Sequence, residues 1–108
     1  MFGLFKTKKN YENVNAATFK QLMAETPNSM VIDVRTAAEA RSGSIKGAVN
    51  IDIMSMDFQQ KIAKLDKNKT YFVYCRSGNR SGQACKMMGD AGFTNVYNLS
   101  GGMMSWPY

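Results

Sequence analysis

Twelve consecutive residues, Thr70-Tyr71-Phe72-Val73-Tyr74-Cys75-Arg76-Ser77-Gly78-Asn79-Arg80-Ser81, constrain this chain more than any other stretch. The first five are β-branched or aromatic, the pattern of a strand buried on both faces. The next residues are small, polar or cationic, and Gly78 and Asn79 tolerate positive φ. After Ser81 the period changes: Ala84, Cys85, Met87, Met88 and Ala91 form the apolar stripe of a helix. The stretch therefore reads as strand, tight loop, helix. Its loop N–H groups and the helix N-terminus should converge on a small cradle, with Cys75 at its mouth and two guanidinium groups around it. Such a cradle suits an anion or a thiolate.

The rest of the chain repeats the alternation. Tyr11–Val14 reads as a short strand, and Asn15 can cap a helix lined by Phe19, Leu22 and Met23. Pro27-Asn28 ends that helix, and Ser29–Val34 is a second buried strand. Thr36-Ala37-Ala38-Glu39 fits a capping box and opens a short helix ending near Ser42-Gly43. Ala48–Ile51 is a third strand, Phe58, Ile62 and Leu65 mark a helix, Gly92 suits its position after the next helix, and Asn95–Leu99 is a fifth strand. Gly101-Gly102 turns the chain into a short last segment.

Strands and helices in alternation predict an α/β fold: a mostly parallel five-stranded sheet with helices on both faces. At 108 residues this is one domain, expected over 11–108, preceded by a flexible basic tip over 1–10. In such sheets ligands bind beyond the carboxyl ends of the strands. Cys75 and Asp33 both fall at such ends.

Composition narrows the chemistry. The chain has no histidine, which excludes a Ser-His-Asp triad, a Cys-His pair and any His-ligated metal. Only two cysteines are present, so a Cys-only zinc site is excluded as well. One cysteine sits at a strand end and the other on the apolar side of the next helix, a poor geometry for a disulfide. A reduced, cytoplasmic setting is expected. The apolar patch before Lys6 is too short for a signal peptide, and no stretch approaches a membrane span. Net charge is +6, yet the lysines are scattered without a basic-aromatic stripe, so no nucleic-acid partner is expected. The nine methionines lie mostly at apolar helix positions or loop edges, which favours core and pocket wall over copper. Neither metal nor cofactor is expected.

Without histidine, a nucleophilic Cys75 must be activated electrostatically. Arg76 and Arg80 supply positive charge, the N–H groups from Arg76 to Ser81 the cradle, and Ser77 and Ser81 hydroxyl donors. This permits attack on electrophilic sulfur or phosphorus with a covalent intermediate. Two arginines and a glycine within five residues of Cys75 argue against a merely structural cysteine. Cys85, among Ala84 and Met88, reads as core. Asp33 either orients loop groups or caps nearby backbone. Arg35 and Glu39 are expected to form a structural ion pair. Trp106 either walls the pocket or closes the core.

The loop Cys75-Arg76-Ser77-Gly78-Asn79-Arg80-Ser81 resembles the active-site loop of single-domain rhodaneses, a family of sulfurtransferases. Asp33-Val34-Arg35 with Glu39, Ile45–Ile51, and Gly92–Leu99 with Gly101-Gly102 and Trp106 resemble that family's other segments, in order, from about Tyr11 to Trp106. The resemblance implies a rhodanese-like fold and a two-step reaction. Cys75 takes a sulfane sulfur from thiosulfate, polysulfide or another persulfide, and a thiophilic acceptor such as a small thiol or a thioredoxin-like protein removes it. It also implies persulfide or substrate binding by Arg76, Ser77, Gly78, Asn79, Arg80 and Ser81, with Asp33, Arg35 and Trp106 as supporting residues. The chain departs from the family at Ser44, where histidine is frequent.

Two other functions fit the same residues. One is a persulfide carrier or docking module with little turnover. The other is a cysteine-dependent phosphatase, but those use C-x5-R, and here Arg80 makes the spacing C-x4-R. The shorter loop makes a smaller cradle, better matched to a single sulfur than to a phosphate.

Overall fold

The computed structural model describes residues 10–108. The expectation of a flexible tip therefore lies, except for Asn10, outside the described residues. Five strands form one parallel sheet: β1 (Glu12–Val14), β2 (Ser29–Asp33), β3 (Val49–Asn50), β4 (Thr70–Tyr74) and β5 (Asn95–Leu99), in the spatial order β1-β5-β4-β2-β3. Four helices connect them: α1 (Ala16–Glu25), α2 (Ala37–Arg41), α3 (Phe58–Ala63) and α4 (Asn79–Asp90). A 3-10 turn, Met103–Ser105, follows β5.

β4 is central because its side chains can be buried on both faces. Tyr71, Phe72, Val73 and Tyr74 are all at most 1% exposed. Alternation along the strand sends Tyr71, Val73 and Cys75 to one face, against α3 and α4 (Phe58, Ile62, Ala84, Cys85, Met88). Phe72 and Tyr74 point to the other face, against Phe19 of α1 and Leu99. Phe72 lies edge-to-face with Phe19 and stacks on Tyr97, both at 5.4 Å between ring centroids. Such pairs each add about 0.5–1.5 kcal/mol beyond their buried area. Asp33 pairs in register with Tyr74. The exits of β2 and β4 therefore lie side by side, where the chain order reverses and a binding crevice is expected.

Local signals set the helix limits. The Asn15 side chain accepts from the Thr18 N–H at 2.9 Å and starts α1. The Thr36 capping box starts α2, with the Glu39 side chain returning to the Thr36 N–H. α4 ends in a Schellman motif: Gly92, at φ +102°, donates to the Gly89 carbonyl, and the Phe93 N–H to that of Met88. The third strand is shorter than its apolar run, because only Val49 and Asn50 pair with β2 at this sheet edge.

Trp106 packs edge-to-face on Phe19 at 5.8 Å, within the α1-side core. Of its two expected roles, this is closing the core. No helix among the described residues is long and apolar enough to cross a membrane.

Candidate active site

Cys75 follows the last residue of β4, and the chain then turns through Gly78 into α4. Gly78 is the N-cap of α4 in the left-handed region, φ +100°, and has no side chain with which to cap. The Cys75 sulfur does this work instead. The Gly78 N–H donates to Sγ at 3.1 Å and the Ser81 hydroxyl at 3.3 Å. The N–H groups of Ser77 and Ser81 add to the positive field that lowers the thiol's pKa. A sulfur so placed sits where the first turn of a helix presents unpaired donors and a partial positive charge.

The electrostatic balance follows. Burial alone would push the Cys75 thiol up, since the side chain is fully enclosed. The Ser81 hydroxyl and the N–H groups of Ser81, Gly78 and Ser77 outweigh burial and hold it below the ordinary thiol value. Cys75 therefore lies beneath the loop and not at its mouth, as the sequence suggested. Of the cradle donors expected from sequence, the Gly78 N–H and the Ser81 hydroxyl bond the sulfur, and the N–H groups of Ser77 and Ser81 lower its pKa. Asn79 is exposed in the first turn of α4.

The loop conformation depends on what stands behind it. A Cβ on Gly78 would lie 2.2 Å from the Ser100 carbonyl oxygen, so only glycine fits between loop and β5 exit. Gly102 faces the loop from the other side, where a Cβ would meet the Arg76 carbonyl oxygen at 2.2 Å. The N–H groups of Met103 and Met104 donate to the carbonyls of Cys75 and Arg76 at 2.9 and 3.0 Å. Buried Asn98 donates to the Gly78 carbonyl at 3.2 Å. The turn after β5 is thus a clamp on the loop backbone. Sequence reasoning missed Asn98, Met103 and Met104 in this role. The Gly101-Gly102 pair directly after a strand was the available signal for a close backbone approach.

The charged residues pair differently from the expectation. Arg35 does not bond Glu39. Its guanidinium grips Asp33, with Nη2–Oδ2 at 2.6 Å, and also donates to the Gly43 carbonyl at 2.6 Å. Asp33 further accepts from the Arg35 N–H and the Tyr74 hydroxyl. Asp33 thus caps local backbone, and strand alternation puts it on the sheet face opposite Cys75. Burial pushes the Tyr74 phenol up to about 12, so it remains a donor. Glu39 instead forms a two-pronged pair with Arg80, at 2.8 and 3.0 Å. The Arg80 guanidinium holds the Glu39 carboxyl at about 2, helped by the Thr36 N–H. The cause of the exchange is reach: Glu39 sits in the first turn of α2, fixed by its own capping box toward the start of α4. Among the described residues Arg76 forms no ion pair, and its side chain is exposed.

A cavity of about 330 Å³ opens beside the loop, lined by Arg35, Glu39, Ser42, Arg76, Met103 and Met104. A thiol held below its ordinary value by helix and loop donors has the electrostatic setting in which cysteine nucleophiles are activated.

The family model of the Rhodanese-like domain matches residues 15–107. The chain belongs to the rhodanese-like family. A sulfurtransferase of Allochromatium vinosum is 31% identical over 93 residues, covering 86% of this chain and 85% of that protein. A putative sulfurtransferase of Bacillus subtilis, YtwF, is 38% identical over 95 residues, covering 88% and 89%. Among solved structures, a rhodanese-like domain protein from Staphylococcus aureus superposes with a TM-score of 0.77 at 25% identity, covering 88% of this chain and 90% of that one. The rhodanese-like fold expected from the sequence is the fold observed, with all five strands parallel.

Proposed function

We propose that this rhodanese-like domain is a sulfurtransferase that works through a persulfide on Cys75. The observation that carries the reading is the sulfur itself: buried, hydrogen-bonded by the Ser81 hydroxyl and the Gly78 N–H, and held below the ordinary thiol value with the help of the Ser77 and Ser81 N–H groups. In the first step the Cys75 thiolate attacks the outer sulfur of a sulfane donor. With thiosulfate, a Cys–S–S bond forms, the donor's S–S bond breaks, and sulfite leaves with the bonding pair. In the second step an acceptor thiolate attacks the outer persulfide sulfur and returns Cys75 as thiolate. The cradle that stabilises thiolate also stabilises the persulfide anion, because the extra sulfur stays within reach of the same donors. Ser77, Gly78 and Ser81 are the donors, Asn79 and Arg80 form the first turn of α4 behind them, and exposed Arg76 attracts the anionic donor. The relatives named sulfurtransferases support the reaction class.

Intact mass after incubation with thiosulfate or polysulfide tests this. The expected result is a gain of one sulfur that Cys75→Ser abolishes, followed by its loss on adding a thiol. Hydrolysis of phosphomonoesters without any sulfur gain would overturn it. The C-x4-R spacing and the closely fitted cradle favour sulfur over phosphate.

A further inference from the structure

The loop carries two arginines, yet only one of them offers an uncompensated charge. Arg80 is held by both oxygens of Glu39, at 2.8 and 3.0 Å. Glu39 is not free to swing away, because its Oε1 also accepts from the N–H and hydroxyl of Thr36. The same carboxylate lines the cavity beside the loop. Arg35, in the same wall, is cancelled by buried Asp33. Asp52, on the segment after β3, is near enough for Arg80 to feel its charge. Of the three guanidinium groups, Arg35 and Arg80 are therefore compensated by Asp33, Glu39 and Asp52, and among the described residues Arg76 alone is left open. The remaining wall is Ser42 and two thioethers, Met103 and Met104, the latter 69% exposed.

We infer that Glu39 is a specificity-determining positioning residue: standing in the cavity wall and occupying Arg80, it biases the site against dianionic donors such as thiosulfate and toward alkyl persulfides of low charge. The inference rests on the sulfurtransferase reading and concerns only which donor that site takes. A dianion entering this cavity meets one open cation, Arg76, and the Glu39 carboxylate. An alkyl persulfide brings at most one negative charge and an apolar stem that the methionines can cover. Its transfer balances without any further reactant: Cys75–S⁻ attacks the terminal sulfur of R–S–SH, the new S–S bond forms as the old one breaks, and RS⁻ leaves while the proton stays on the Cys75 persulfide.

The test compares thiosulfate with the persulfide of 2-mercaptoethanol as donors, one acceptor thiol serving both. The wild-type protein is expected to show a kcat/KM for the alkyl persulfide at least about tenfold above that for thiosulfate. Glu39→Gln keeps a capping-box residue at this position and frees the Arg80 charge. It should raise kcat/KM for thiosulfate about five- to tenfold, through KM, with the gain shrinking as salt rises. The alkyl persulfide should move by less than about twofold. Equal loss with both donors would make Glu39 a brace and overturn the inference, as would an unchanged thiosulfate KM. A wild-type preference for thiosulfate overturns it without recourse to the variant. If Cys75 gains sulfur from either donor, the sulfurtransferase reading stands whatever Glu39→Gln does; if it gains none from any donor, both fall.

Discussion

Cys75 and Cys85 are equally buried, each 0% exposed, and their thiols are driven in opposite directions. Cys85 lies in the second turn of α4, among Ala84, Met88 and the sheet. Burial pushes its thiol well up, and the neighbouring Cys75 charge adds to the rise. Cys75 suffers the same burial, but the start of the same helix surrounds it with donors that reverse the effect. Burial alone therefore says nothing about reactivity. What matters is whether hydrogen-bond donors have nowhere else to go, and the first turn of a helix capped by a glycine is where that occurs.

The largest test of this contrast is removal of each sulfur in turn. Cys75→Ser should abolish sulfur loading completely, whereas Cys85→Ala should load at a rate within about twofold of wild type, since no donor among the described residues lowers that thiol. Loss of loading in Cys85→Ala that is still folded at the assay temperature would break the contrast. Next in size is Gly78→Ala. It forces a side chain into the left-handed region and onto the Ser100 carbonyl, at an expected cost of at least about 2 kcal/mol. For a domain of this size that is about 8–15 °C in Tm, accompanied by slower alkylation of Cys75.

Ser81→Ala is a smaller and sharper change. It removes one of the donors to the sulfur, a hydrogen bond to a charged group being worth about 1.5–3 kcal/mol. The pH midpoint for alkylation of Cys75 should rise by about one to two units, and Cys85 should remain unreactive. In the wild-type protein that midpoint should fall below that of an ordinary cysteine thiol. The sign follows from the direction of the shift. A depressed folded value means that the thiolate's contribution to stability is present above the unfolded value and is lost as pH falls through the folded one. A wild-type midpoint above the ordinary thiol value would show that burial wins at Cys75 as it does at Cys85. The smallest effect is the stability of Cys85→Ala, about 1 kcal/mol for a small core gap.

Glu39 shows where one-dimensional reasoning fails. Its capping box is legible because the partners are three residues apart. Its ion-pair partner is not, because Arg80 lies 41 positions away and a nearer cation, Arg35, was the better guess from spacing. Arg35 was already taken by Asp33, two residues before it. In the same way the clamp on the loop from Asn98, Met103 and Met104 acts through backbone carbonyls, which carry no residue-specific signature.

Taken by itself, the sequence determined the strand-loop-helix at Thr70–Ser81, the alternating α/β architecture and the family, and it singled out Cys75 as the proposed nucleophile, because each rests on periodicity, turn chemistry or a contiguous motif. Tertiary structure alone decided that the sulfur lies beneath the loop, that Trp106 closes the core, and that Asp33 and Glu39 divide the arginines between them. Those outcomes depend on which strand exits are neighbours and on which face each side chain emerges, and both are settled only when β2, β4 and the turn after β5 are brought together.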